Sequence, residues 1–270
     1  MPDGSPMPPH PQNYGASPGD GLRLPGAWTR RPAPPPPRVG EGFIPSDIVR
    51  GLGLAAAVFF LTFLVGLAIF AAIDDDPSEN AEFVATAIIV LIVDVLALIL
   101  VPALVLRGRG AARLLGLRAP TWRALGWGLT ALVAAWIAIV AYQAIVEALE
   151  IEWLEPVSAI DGEESFTVLA AVLTGVAVLL MAPLAEEIFH RGFLVGAIRR
   201  RWGVVVAVPL SAAIFSALHF DVGSLIPFFV VGVAFALAYL KSGNLWASIS
   251  AHFVFNLVAF IVTVADRGVT

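Results

Sequence analysis

From residue 51 onward the chain alternates long apolar runs with short polar loops. Seven runs are read, near 51–73, 84–106, 124–146, 166–189, 203–220, 224–240 and 245–264. Several approach the ~20 residues that a helix needs to cross the hydrocarbon of a bilayer. The fifth and sixth are shorter, so their edges are the least defined. The pattern predicts an all-α fold: a polytopic membrane helix bundle of about seven transmembrane helices. Residues 1–42 carry no such pattern. They are rich in Pro and Gly and include PAPPPP, a composition that favours extended, disordered chain over a buried core. The expected division is a disordered cytoplasmic tail over 1–42, N-terminal membrane helices over 43–150 and a second group of membrane helices over 151–270. The tail reads as a linker rather than as a ligand for an aromatic groove.

Composition agrees with this pattern. Of 270 residues, 59% are hydrophobic and only 14% charged, which sets the chain apart from ordinary soluble domains. No cysteine is present, so disulfides and thiolate metal sites are excluded. The net charge of −5 contains no basic block suited to nucleic acid. The first forty residues contain no apolar stretch of the kind found in a secretory signal peptide.

Loop charge adds an orientation. Arg23, Arg30, Arg31, Arg38 and Arg50 precede or open the first run, and Asp74, Asp75, Asp76 and Glu79 follow it. Arg107, Arg109, Arg113, Arg118 and Arg123 follow the second run, and an acidic loop from Glu147 to Glu164 follows the third. Arg199, Arg200 and Arg201, then Asp221, then Lys241 continue the alternation. The positive-inside rule places the N-terminus in the cytoplasm and, with seven spans, the C-terminus outside. Lys241 is the only lysine; this arginine bias hints at a GC-rich genome, and the expected location is a bacterial plasma membrane.

Polar residues inside the apolar runs are the candidates for chemistry, because each is expensive in hydrocarbon. Asp94 lies inside IVLIVDVLALIL. It reads first as a buried group bonded to a neighbouring helix and second as a proton or substrate contact. Glu186 and Glu187 are adjacent at the end of the fourth run. Carboxylates so close do not both ionise easily, which suits acid–base work on water or a carbonyl. Glu187 and Arg191 are spaced i, i+4 on one helix face, acid first, the better order for pairing. Glu186 points about 100° away and stays available. Pro183 removes a backbone donor just before the pair and is expected to kink the helix, opening a small polar cavity. A pair merely solvated at the interface fits the same residues equally well. His219 stands one turn after Phe215 in the fifth run, and His252 one turn before Asn256 in the seventh. A lone histidine on an apolar helix is usually structural. Two Glu, one Arg, two His and one Asn within four runs are held at least cost by clustering, and such a cluster of acid, base and amide donors looks like a hydrolytic site.

The three stretches EEIFHR, FSALH and HFVFN fit the patterns EExxxR, FxxxH and HxxxN. Taken in order, each in its own apolar run, they resemble the signature motifs of the CPBP intramembrane proteases, the family of type II CAAX prenyl proteases and bacteriocin-processing or Abi proteins. The resemblance covers about residues 165–262. It implies that the helices of 151–270 are the catalytic ones. It also implies a Glu186 that activates the attacking water with His219, and a His252–Asn256 pair that stabilises the oxyanion. Glu187 and Arg191 would then be the supporting pair. His190 is not required by the motif. An amide attacked by water develops negative charge, and one preorganised donor to it is worth roughly 3–4 kcal/mol.

Metal dependence stays open in such a family. Glu186, His219 and His252 are the candidate zinc ligands if a metal is present. The usual zinc-protease HExxH is absent, and the expectation is metal-free water activation with no cofactor required. The expected partners are the lipid bilayer and a membrane-associated peptide or protein substrate, with no nucleic acid. Two other classes fit parts of the sequence. One is a non-catalytic immunity or scaffold protein of the same fold. The other is a proton-coupled transporter using Glu186 and Asp94, although no internal repeat supports it. A serine nucleophile motif such as GxSxG is absent. Counting from the helix ends puts His219 nearer the outer side than Glu186 and His252, which a short or tilted fifth helix would reconcile.

Overall fold

The computed structural model describes residues 39–72, 78–107, 109–156 and 163–270. Among them the chain forms α1 (Pro45–Ala72), α2 (Glu79–Val105), α3 (Ala111–Leu114), α4 (Trp122–Ala148), α5 (Val168–Trp202), α6 (Val204–Ala217), α7 (Leu225–Ser242) and α8 (Trp246–Arg267). Six of these, all except α3 and α6, are long and apolar enough to cross a membrane. No strand forms among the described residues, which contain one isolated bridge between Phe166 and Val269. The chain is a multi-pass helical membrane protein, with the seven apolar runs as its seven main helices. The expected tail over 1–42 lies outside the described residues except for 39–42, which form a turn. Val39 there accepts a hydrogen bond from Arg199 at 2.9 Å.

Helix starts follow the local sequence. Ser78, Thr121 and Thr167 each turn a side-chain oxygen onto the backbone N–H three residues on, capping α2, α4 and α5. Stops follow glycine. Gly203 sits at φ +81° between α5 and α6, and Gly243 at φ +65° closes α7. α5 runs beyond the expected end of its apolar run, to Trp202, with Arg199, Arg200 and Arg201 in its last turn. Cations are favourable at that pole of a helix, so charge there does not end it; Gly203 does.

α5 is not uniform. Its Val176–Met181 and Ile188–Val195 stretches are π-helical and flank the α-helical Ala182–Glu187. Pro183 has no N–H to give to the preceding turn. A shift to i→i+5 bonding just before it takes up that mismatch without ending the helix, and such π-bulges are common at functional sites.

At one end of the bundle a polar clasp sets the register of α2, α5 and α8. The Asn80 side chain accepts from Thr167 N at 2.8 Å and donates to Ser165 O at 3.0 Å. Glu79 accepts from the backbone of Glu163 and Glu164 and pairs with Arg267 at 2.8 Å. Arg267 lies over the rings of Phe166 and Phe83, 4.2 and 4.7 Å from their centroids, a cation–π sandwich. At the other end Asp47 is buried and paired with Arg109 at 2.6 Å, beside a core of Phe43, Val105, Leu115, Phe193 and Tyr239.

α4 packs on α7 and α8 through Ala124, Ala131 and Ala135, which meet Phe235, Ala247 and Ala251. Small residues let membrane helices approach closely where no hydrophobic drive separates them from lipid. Gly232 does the same between α7 and α6: a Cβ there would lie 2.9 Å from that of Ala212. The outer faces are apolar, with Phe59, Phe60 and Phe63 exposed on α1 and Leu129, Val133 and Ile137 on α4.

The short α6 has 14 residues, about 21 Å at 1.5 Å per residue, less than the ~30 Å of hydrocarbon. Its turn to α7 satisfies its own polar groups. Asp221 accepts from Gly223 N at 3.2 Å, from Ser224 N at 2.9 Å and from the Ser224 hydroxyl, while Ser216 donates to Leu225 O at 2.5 Å. Irregular backbone at depth is tolerated when its groups are paired in this way.

Candidate active site

The Glu187–Arg191 pair is the anchor. The two residues lie within the second π-helical stretch and its leading turn, and Arg191 Nη1 meets Glu187 Oε1 at 2.6 Å. Glu187 is fully buried and Arg191 is 1% exposed, so neither charge has bulk water as an alternative. Two rings and a carbonyl also close on the guanidinium, whose Nε has no hydrogen-bond partner among the described residues. It faces the Phe215 ring at 4.4 Å and the Phe235 ring at 5.5 Å, and Nη2 donates to Gly232 O at 3.4 Å. α6 and α7 thus supply the walls around a charge carried by α5.

Glu187 also orients His252 on α8, whose Nδ1 lies 3.0 Å from the same Oε1. The carboxylate accepts and Nδ1–H donates. That bond fixes the ring so that Nε2 points at Glu186, whose Oε2 is 4.0 Å away. A second group thereby sets which imidazole nitrogen faces the chemistry. The Glu186 side chain is 30% exposed, while its Oε2 is buried and has no hydrogen-bond partner among the described residues. A 4.0 Å gap between an acid oxygen and an imidazole nitrogen is open to one bridging water.

Asn256, one turn after His252, donates from Nδ2 to Val178 O at 2.7 Å. That carbonyl belongs to the first π-helical stretch. An amide nitrogen has two N–H groups, so one donor of Asn256 is committed to position and one is left for a ligand.

His219 is placed differently. It follows the end of α6 and is exposed. Its Nδ1 bonds the Phe215 carbonyl at 2.8 Å, and its ring packs against Phe228 with centroids 4.4 Å apart. The Phe215 ring lies against both histidines, 4.8 Å from the His219 ring and 6.0 Å from the His252 ring. Among the described residues no hydrogen bond or ion pair joins His219 to either glutamate. The structure therefore brings Glu186, Glu187, Arg191 and His252 into direct reach of one another, adds Asn256 beside them, and leaves His219 one aromatic ring away.

His190 is buried with its ring edge-on to Phe189 and Phe215 at 5.1 and 5.3 Å, and its carbonyl accepts from Ser211 at 3.0 Å. It packs α5 on α6. Sequence reasoning did not find Gly232 or Phe235. Both are ordinary residues of an apolar run, and nothing in spacing or polarity marks them.

The candidate zinc ligands do not fit a metal as arranged. His219 is not gathered with Glu186 and His252. Among the described residues no three His, Asp or Glu side chains come close enough together to hold an ion.

These features define a class: a polytopic helical membrane protein with a buried acid–base cluster drawn from α5 and α8 and walled by α6 and α7. Residues 167–258 match the family described as type II CAAX prenyl endopeptidase Rce1-like. Over 83 residues the chain is 29% identical to the protein named "Putative membrane peptidase YdiL" of Bacillus subtilis (strain 168). That similarity covers 31% of this chain and 34% of the relative, so the chain spans about a third of the curated relative's length. No solved structure matches the chain.

Proposed function

We propose that the chain is an intramembrane endopeptidase that hydrolyses a peptide bond of a membrane-associated protein or peptide through water activated at Glu186. The observation that carries this reading is the convergence on one buried cluster of residues from the first and third motifs. His252 bridges Glu187 and Glu186, at 3.0 and 4.0 Å. In this reading Glu186 takes the proton of a water lying between it and His252 as the water attacks the carbonyl carbon. The charge that develops on the carbonyl oxygen is met by the second Nδ2–H of Asn256 and, when the His252 ring carries both protons, by its Nε2–H. Glu186 then returns the proton to the leaving amine. Glu187 and Arg191 hold His252 in orientation and do not themselves react. His219, whose Nδ1 is spent on a backbone carbonyl, presents Nε2 to a substrate or water that enters past Phe215. No step is routed through a metal.

The test is quantitative proteomics of membrane peptides in cells carrying wild type, Glu186→Ala or His219→Ala. The same products should disappear in both variants while the folded protein persists in the membrane. Products retained by both variants would remove the catalytic assignment. A wild-type protein that keeps full activity after exhaustive chelation is expected; loss restored by zinc would contradict the metal-free step.

A further inference from the structure

The protease reading uses nothing before α5, yet α2 brings a third carboxyl group to the same place. Asp94 is 5% exposed, and its Oδ2 has no hydrogen-bond partner among the described residues. Among the described residues no hydrogen bond from a neighbouring helix reaches that oxygen. Its direction is set by the helix: Ala87 and Asp94 are both buried and seven residues apart, hence on one face of α2.

Two lines of geometry place that face against Glu186. α2 packs on the Ala182–Glu187 turn of α5. The register agrees. α2 and α5 start at one level, because Asn80 bonds the Thr167 backbone. Fourteen residues on, about 21 Å along each helix, lie Asp94 on α2 and Met181 on α5. The π-helical stretch packs extra residues into each turn, which draws the Glu186 turn toward that level.

Two carboxyl groups from different helices thus approach each other, and each keeps one buried oxygen with no protein donor among the described residues. Buried carboxyl oxygens are rarely left so, and ordered water is the usual donor where the site is polar. We propose that Asp94 and Glu186 face one water-holding chamber within the bundle, and that Asp94 is a positioning residue for the water that Glu186 activates. This deepens the protease reading and rests on it. It also makes a helix outside the matched 167–258 segment part of the site.

The chain has no cysteine, so a single Asp94→Cys variant reports on its surroundings alone. A thiol buried in protein or lipid without water does not react with a charged methanethiosulfonate. Ile92→Cys, on the exposed apolar face of α2, is the control. In proteoliposomes the thiol of Asp94→Cys should react at least ~10-fold faster than that of Ile92→Cys, and its modification should stop cleavage. Equal rates, or modification that leaves cleavage intact, would overturn the proposal. Turnover supplies a second test. Asp94→Leu should lower kcat by about tenfold, ~1.4 kcal/mol in the barrier, with KM changed little, and Asp94→Asn should restore most of it. An Asp94→Leu protein with wild-type kcat would overturn the role whatever the thiol rates. If the wild type cleaves nothing, the protease reading fails, and the thiol rates still decide whether the chamber exists.

Discussion

Arg191 is the residue whose removal should matter most to stability. Its guanidinium lies between two phenyl rings and against Glu187, far from water. Arg191→Met leaves Glu187 as a buried charge without its cation. Breaking one side of such a pair typically costs about 3–5 kcal/mol. Thermal unfolding in detergent should show that loss, and the double variant Glu187→Leu/Arg191→Met should recover part of it, because removing both charges also removes their burial cost. A single variant as stable as wild type would contradict the buried pair. At this scale the sequence was readable where polarity is rare. Glu187 and Arg191 stand out by spacing, and their bond forms even though the helix there is π-helical rather than α-helical. Phe235 and the Gly232 carbonyl complete the same site unmarked, because an aromatic ring or a glycine in an apolar run has many ordinary uses.

Helix by helix, the apolar runs predicted where elements lie, and composition around them predicted less about how they end. α5 passes through its arginines to Gly203, and its π-helical stretches have no spacing signal of their own beyond Pro183. α6 ends early enough to leave His219 in a turn. The close approach of α7 to α6 at Gly232 is testable. Gly232→Leu puts side-chain atoms where Ala212 already stands, and overpacking of this kind costs about 1–3 kcal/mol. It should also displace the carbonyl that Arg191 uses, so activity should fall further than stability does; unchanged activity would argue that this approach does not shape the site. The clasp at the far end belongs to the same scale. Arg267→Ala removes the bond to Glu79 and the contacts with Phe83 and Phe166. Hydrogen exchange should then speed up in 163–167 and at the start of α2, with the Glu187 turn unaffected.

For the whole molecule, the arrangement explains why a polar cluster can exist at membrane depth. Glu187 and Arg191 are paired, the irregular α6–α7 turn bonds itself, and the exposed faces of α1 and α4 are apolar. The charged ends of the bundle predict its orientation: the thiol of Arg200→Cys should be labelled only from the cytoplasmic side and that of Glu150→Cys only from the opposite side. Labelling of both from one side would refute the order of spans. The most direct measurement is cleavage of a membrane-anchored peptide by purified protein in proteoliposomes, run in isotope-labelled water, with wild type beside a folded Glu186→Ala variant. The account predicts labelled oxygen in the new C-terminal carboxylate for the wild type, and a rate about 10²–10⁴-fold lower for the variant. Equal product from the folded Glu186→Ala protein would contradict it.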